Sequence, residues 1–144
     1  MALIEGYNFP DELFYHKEHS WIKIESNGNI RVGLNDFYQK SAGDITNIDL
    51  PFEGDILSQG KTCGRIESGK WIGKLVSPVS GEVIEINIDL EIDPSIINKS
   101  PYKKGWILIL KPSNLDKELK NLFQVDNIKP WLKQEIQDAE KKKK

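Results

Sequence analysis

The sequence predicts a single, mainly β domain of the sandwich or barrel type, and three observations predict it. A chain of 144 residues, 38% of them hydrophobic, is enough for one core and for little more. From Leu13 to Leu110 the apolar residues come in short β-branched runs broken by Gly, Pro, Asn and Asp. Within several runs the apolar positions alternate with polar ones, the period of a strand with one face in a core.

Seven runs read as strands: "SWIKIES", "GNIRVGL", "GDITNIDL", "TCGRIE", "KWIGKLVS", "GEVIEINI" and "GWILILK". In the first, Trp21, Lys23 and Glu25 point one way and Ile22 and Ile24 the other, so one face is expected to be buried. "SNGN" at 26–29 joins it to the second as a hairpin, because Asn and Gly tolerate positive φ. "NDFYQKSAG" interrupts the β pattern with a capping residue, one or two helical turns and a glycine stop. After Pro112 the period changes. "SNLDKELKNLF" sets Leu115, Leu119, Leu122 and Phe123 at helical spacing, predicting an amphipathic helix. A second helix is expected from about Asn127, with Ile128, Trp131, Leu132 and Ile136 on one side and Pro130 in its first turn. "DAEKKKK" then reads as a solvated, frayed end rather than a patch for acidic partners. The segmentation is an N-terminal extension at 1–12, the β domain at 13–111, a helical segment at 112–137 and a charged tail at 138–144.

Composition excludes several functions. Twenty Lys and Arg against 22 Asp and Glu leave a net charge of -2, no footprint for nucleic acid. A single cysteine rules out an internal disulfide and suits a reducing compartment. The start "MALIEGYNFPDELFY" lacks a signal peptide's basic and apolar parts, and no run is long enough to span a bilayer. A cytoplasmic protein off the membrane is expected. His16 and His19 lead into a strand, where odd spacing sends side chains to opposite faces, so no metal site is expected. Cys63 reads as a small buried residue rather than a reactive thiol. No hydrolase, nucleotide or zinc-protease motif occurs.

One stretch remains, "RIESGKWIGKLVSPVSG" at 65–81. Ser68-Gly69 reads as a two-residue turn with Gly69 supplying the unusual φ, which leaves Lys70 at the tip of a stiff hairpin. A lysine to be acylated by another enzyme has to be displayed in this way, in the open and on rigid backbone. Once acylated, the side chain becomes an arm of about ten rotatable bonds reaching on the order of 10 Å. A lysine that instead forms a Schiff base needs desolvation or a neighbouring cation to lower its pKa. A hairpin tip offers little of the first, though Lys74 could supply some of the second.

The chain resembles the H proteins of the glycine cleavage system in "YHKEHSW", "VGLNDF", "GDITNIDLP", "ESGK", "SPVSGEVIEIN" and "NKSPYKKGWILILK". The resemblance implies a barrel-sandwich hybrid of the lipoyl and biotinyl carrier kind, two small antiparallel sheets with a short inner helix and C-terminal helices. It implies a non-catalytic carrier with lipoic acid in amide linkage to Lys70, attached by a lipoate ligase or lipoyl transferase. Glu67, Ser68, Gly69 and Trp71 would complete the attachment hairpin. The implied partners are glycine decarboxylase, an aminomethyltransferase and dihydrolipoamide dehydrogenase, between which the arm would carry an aminomethyl group. The chain also resembles lipoate-binding H-like proteins of sulfur oxidation, whose arm would serve a heterodisulfide-reductase-like complex.

The chain departs from the family pattern beside the arm. Where H proteins read E-S-V-K-A-A/T-S-D, this one reads "ESGKWIGK", so Trp71, Ile72 and Gly73 replace small residues and Lys74 replaces an acid. The family's E-H-E-W becomes Glu18, His19, Ser20, Trp21. His19, Ser20 and Lys74 are therefore expected where the arm docks or a partner touches. Exchanging an acid for a cation at roughly 4 Å from a cationic cargo costs about 1 to 4 kcal/mol, depending on the effective dielectric.

Overall fold

The computed structural model describes residues 2–142. Every strand pairing in it is antiparallel. All seven predicted strands are present: β4 (Ser20–Ile24), β5 (Ile30–Leu34), β6 (Ile45–Asp49), β8 (Thr62–Ser68), β9 (Trp71–Val76), β10 (Gly81–Ile86) and β11 (Leu108–Pro112). Four shorter strands were not expected, β1 (Ala2–Ile4), β2 (Tyr7–Phe9), β3 (Phe14–Tyr15) and β7 (Ile56–Leu57). Two or three residues are too few to display a period, so no sequence signal marks them. The strands form a six-stranded sheet in the order β3-β4-β5-β11-β10-β7, a three-stranded sheet β6-β8-β9, and the hairpin β1-β2. The expectation of two small sheets is thus corrected to three, one of them large, within the expected mainly β sandwich.

The main core fills the space between the six-stranded and three-stranded sheets, with Ile22, Val32, Leu34, Ile45, Ile66, Leu75, Val83 and Leu108 among its buried members. A second core covers the opposite face of β4, joining Phe9, Leu13, Tyr15, Trp21, Phe37, Ile128 and Leu132. Trp21 and Ile22 are both fully buried, on opposite faces. The expectation of one buried face is corrected accordingly, because the N-terminal hairpin and the C-terminal helix cap a sheet face that a strand pattern alone leaves open.

The inner helix α1 (Asp36–Ala42) begins where the Asn35 side chain accepts a hydrogen bond from the Tyr38 N–H, and stops at Gly43, whose φ is 77°. Short turns follow in α2 (Asp89–Ile92) and α3 (Ile96–Lys99). The single helix expected over 113–123 is broken: α4 (Leu115–Glu118) gives way to a 3-10 turn at Leu119–Asn121. Leu122 is extended, and Phe123 bridges Tyr15 in both directions at 2.7 and 2.8 Å. Pairing with the sheet edge outweighs the helical spacing there.

The last helix, α5 (Lys129–Lys142), takes Pro130 in its first turn as expected and buries Leu132 completely. It also continues through residues assigned to the frayed tail. Ala139 packs on the second core, so the tail reading is corrected as far as 142. Lys143 and Lys144 of that tail lie outside the described residues. Among the described residues no helix is long and apolar enough to cross a membrane.

Candidate functional site

β8 and β9 pair in register down to Ser68 opposite Trp71, leaving Gly69 and Lys70 as a two-residue turn. The tip falls one residue later than the sequence suggested. Gly69 is also not in the left-handed region, so the role expected of its φ is corrected; nothing lies within 4 Å of where its side chain would be. Both turn residues are exposed, and the Lys70 stem runs outward across the backbone of Gly43. Glu67, three residues before the lysine, pairs with the Arg65 guanidinium at 3.1 Å, and Arg65 also reaches Asp49 at 2.9 Å. The Ser68 hydroxyl donates weakly to the Trp71 carbonyl at 3.4 Å.

Beside the hairpin a cleft of about 920 Å3 runs between β8-β9, α1 and α5. Trp71 and Tyr38 stand edge to face across it, ring centres 5.2 Å apart. A side chain on Gly73 would occupy the space of the Trp71 indole, so glycine there lets the ring lie flat along β9. The Tyr38 hydroxyl donates to the Lys74 carbonyl at 2.9 Å, tying α1 to the free edge of β9. Burial pushes that phenol well above the usual tyrosine range, so it remains a proton donor at any physiological pH.

His19 occupies the cleft in a constrained backbone. The β3-β4 and β4-β5 turns share one pattern: His19 N–H donates to His16 C=O as Gly28 N–H does to Glu25 C=O. The residue in this place needs positive φ, which Gly28 (87°) adopts freely and His19 (81°) does not. The surroundings hold it. Its carbonyl accepts from the Asn35 N–H at 3.0 Å, and its ring meets those of Phe37 and Trp131 at 5.2 and 4.9 Å. Because the Asn35 oxygen already serves Tyr38, the Asn35 amide nitrogen donates to Nδ1 of His19 at 3.1 Å. The Nε2 proton therefore goes to Glu135, 2.7 Å away.

The other predicted contacts divide. Lys74 is exposed and lines the cleft, as do Trp71 and His19. Ser20 does not: it is 0% exposed, its hydroxyl has no hydrogen-bond partner, and it faces the main core from β4. The expectation that Ser20 meets the arm or a partner is corrected, since in a strand the residue after His19 turns inward. Sequence reasoning missed Phe37, Tyr38, Glu135 and Asp138, all of which line the cleft. Trp131, Glu135 and Asp138 stand at i, i+4 and i+7 on one face of α5, a spacing that was visible once the helix was extended through the tail. Those carboxylates, with Glu18, stand against Arg65, Lys74 and Lys141 in the same cleft. Among the described residues no cluster suits a metal ion, and burial pushes the Cys63 thiol up to about 12, leaving it a poor nucleophile.

Comparison with known proteins assigns the family. The glycine cleavage H-protein family model matches residues 13–135. The chain belongs to the glycine cleavage H-protein family. It is 42% identical over 125 residues to the glycine cleavage system H protein of Oceanobacillus iheyensis, covering 87% of this chain and 98% of that one. It is 41% identical over 132 residues to the probable glycine cleavage system H protein of Thermococcus gammatolerans, covering 92% and 98%. Among solved structures, the H protein of Mycobacterium marinum superposes with a TM-score of 0.77 at 29% identity, covering 88% of this chain and 98% of that one. The barrel-sandwich expectation agrees with this H-protein neighbour, whereas the sulfur-oxidation reading gains no support from these matches.

Proposed function

We propose that Lys70 carries lipoic acid in amide linkage and that this H-family protein is a non-catalytic carrier of the glycine cleavage system. The observation behind the reading is the exposed Lys70, second residue of a two-residue turn between tightly paired strands, whose neighbour Trp71 lines a cleft. The residues present fit the group. The cleft's aromatic wall of Phe37, Tyr38 and Trp71 suits an aliphatic chain ending in a dithiolane, and about 920 Å3 is room enough to shelter it. When bound, the dithiolane would supply a redox-active carrier for an aminomethyl group passing from glycine decarboxylase to an aminomethyltransferase, with dihydrolipoamide dehydrogenase restoring the disulfide. This chain's own residues hold the hairpin stiff, offer Glu18, Glu135 and Asp138 to a cationic cargo, and keep Cys63 out of thiol exchange. The same reading puts the protein in the cytoplasm, which suits a lone unpaired cysteine.

Intact-mass spectrometry after co-expression with a lipoate ligase tests the attachment. A lipoyl increment is expected in the wild type and none in Lys70→Arg; an unmodified wild type ends the carrier reading. Exchange of the glycine carboxyl carbon with bicarbonate, driven by glycine decarboxylase and the lipoylated chain, tests the pathway.

A further inference from the structure

The motif "NKSPYKKGW" lies far from Lys70 in sequence, yet one of its residues reaches the ground on which the lysine rests. Asn98, in α3, accepts the Ile45 N–H at 2.9 Å through Oδ1 and donates from Nδ2 to the Gly43 carbonyl at 2.8 Å. The same nitrogen meets the carbonyl and the side-chain oxygen of Gln39, in α1, at 3.3 and 3.2 Å. One amide therefore closes both sides of the 43–45 corner and fastens it to α1, while Ile97 beside it is fully buried and anchors α3 in the core. Ile45 in turn pairs with Ser68, the last residue before the turn. The corner is thus fixed to the hairpin as well.

Gly43 forms the top of that corner. A Cβ there would come within 2.9 Å of Lys70 Cε and 3.5 Å of Nζ, so the lysine stem lies directly on the glycine backbone. At its φ of 77° a glycine is unstrained where any other residue is not. The φ that ends the helix selects glycine, and the same residue leaves the outward face bare beneath the lysine stem.

We propose that Asn98 and Gly43 are positioning residues for the modification of Lys70, a clasp and a bare seat that together set the direction in which the amine meets its ligase. This rests on the carrier reading above. In the reaction the deprotonated Nζ attacks the carbonyl carbon of lipoyl-adenylate, the amide bond forms, the bond to AMP breaks, and a proton from the amine is released to solvent. Attack needs the nitrogen aligned with that carbonyl, so an amine aimed wrongly slows the chemical step while the ligase still grips the hairpin.

The test is steady-state lipoylation of the full chain by a lipoate ligase with lipoate and ATP, followed by intact mass, for wild type, Gly43→Ala, Asn98→Ala and Asn87→Ala. Asn87 is the control for general damage: it makes a comparable clasp, donating to the Lys104 and Trp106 carbonyls at 3.0 and 2.7 Å, in a part of the fold with no contact to the lysine. Gly43→Ala and Asn98→Ala are expected to lower kcat on the order of tenfold with KM changed little. Asn87→Ala should match wild type per folded molecule. Acylation of Lys70 by a small N-hydroxysuccinimide ester, which needs no alignment, should be equal in all four. If Asn98→Ala does not fold, Asn98→Asp decides in its place, since it keeps the bond accepted from the Ile45 N–H and loses those donated to Gly43 and Gln39. Gly43→Ala strains the corner as well as crowding Lys70 and is read only beside it. Unchanged kcat in Gly43→Ala and Asn98→Ala, or an equal fall in Asn87→Ala, overturns the clasp while leaving the carrier intact. A wild type that is never lipoylated overturns both.

Discussion

His16 and Gly73 illustrate how single positions tie the site to the fold. His16 is buried with Nδ1 accepting from the Glu18 N–H at 3.0 Å, an arrangement only the neutral ring can make. Burial, opposed in part by Glu18, holds its pKa below the ordinary 6.5. Between that lowered value and about 6.5 the unfolded chain binds more protons than the folded one, so stability rises with pH across this window and is lost as pH falls through it. Urea midpoints taken from pH 7.5 to 5 should therefore decline, and His16→Gln should flatten the decline; an equal slope in the variant would remove His16 as its cause. Gly73→Ala should push the Trp71 ring off β9. We expect about 1 kcal/mol of lost stability, at the low end for overpacking because the indole can swing toward solvent. A red shift of tryptophan emission should accompany it and be missing in a Trp71→Phe background.

At the scale of elements, the cleft depends on the junction of α1 with the β3-β4 turn. Asn35 serves both: its oxygen caps α1, and its amide nitrogen and backbone N–H hold His19 in a left-handed conformation. Loss of an N-cap alone costs about 1 kcal/mol. Asn35→Ala should exceed that, reaching about 2 to 3 kcal/mol in chemical unfolding, because Nδ1 of the strained His19 loses its side-chain donor as well. Asn35→Asp keeps the cap and should recover about half of the loss, whereas a variant as stable as wild type would mean that the histidine contact contributes nothing. The capping signal in "NDFYQKSAG" was readable from residue types alone. The extent of α5 was not, since "DAEKKKK" has a helix-compatible composition and no apolar pattern, and only packing of Ala139 on the second core decides for helix.

For the whole molecule, the balance of charge across the cleft is the property that bears on carriage. Net charge says nothing about it, because Glu18, Glu135 and Asp138 are matched there by Arg65, Lys74 and Lys141. Partly exposed charges of this kind contribute up to about 1 kcal/mol each. If a cationic cargo shelters in the cleft, Asp138→Asn should speed its loss to water about two- to fivefold, and Lys74→Ala should slow it by a similar factor. The measurement is formaldehyde release from the loaded carrier after glycine decarboxylase is removed. Rates that move together, or not at all, would mean that the cargo stays in solvent.

How much was legible differs between the site and its surroundings. The seven longer strands, the inner helix and the displayed Lys70 follow from local rules, in which period, turn residues and caps act over a few neighbours and need no partner to be recognised. The register of the turn, the burial of Ser20, the break after Glu118 and the cleft itself belong to the tertiary structure. Each is settled by contacts between segments far apart in the chain: Phe123 against Tyr15, Glu135 against His19, Asn98 against Gly43. A lysine on a hairpin can be read from its neighbours in sequence. The seat beneath it and the shelter beside it exist only once the chain has closed, because the groups that build them meet through space and leave no local periodicity to find.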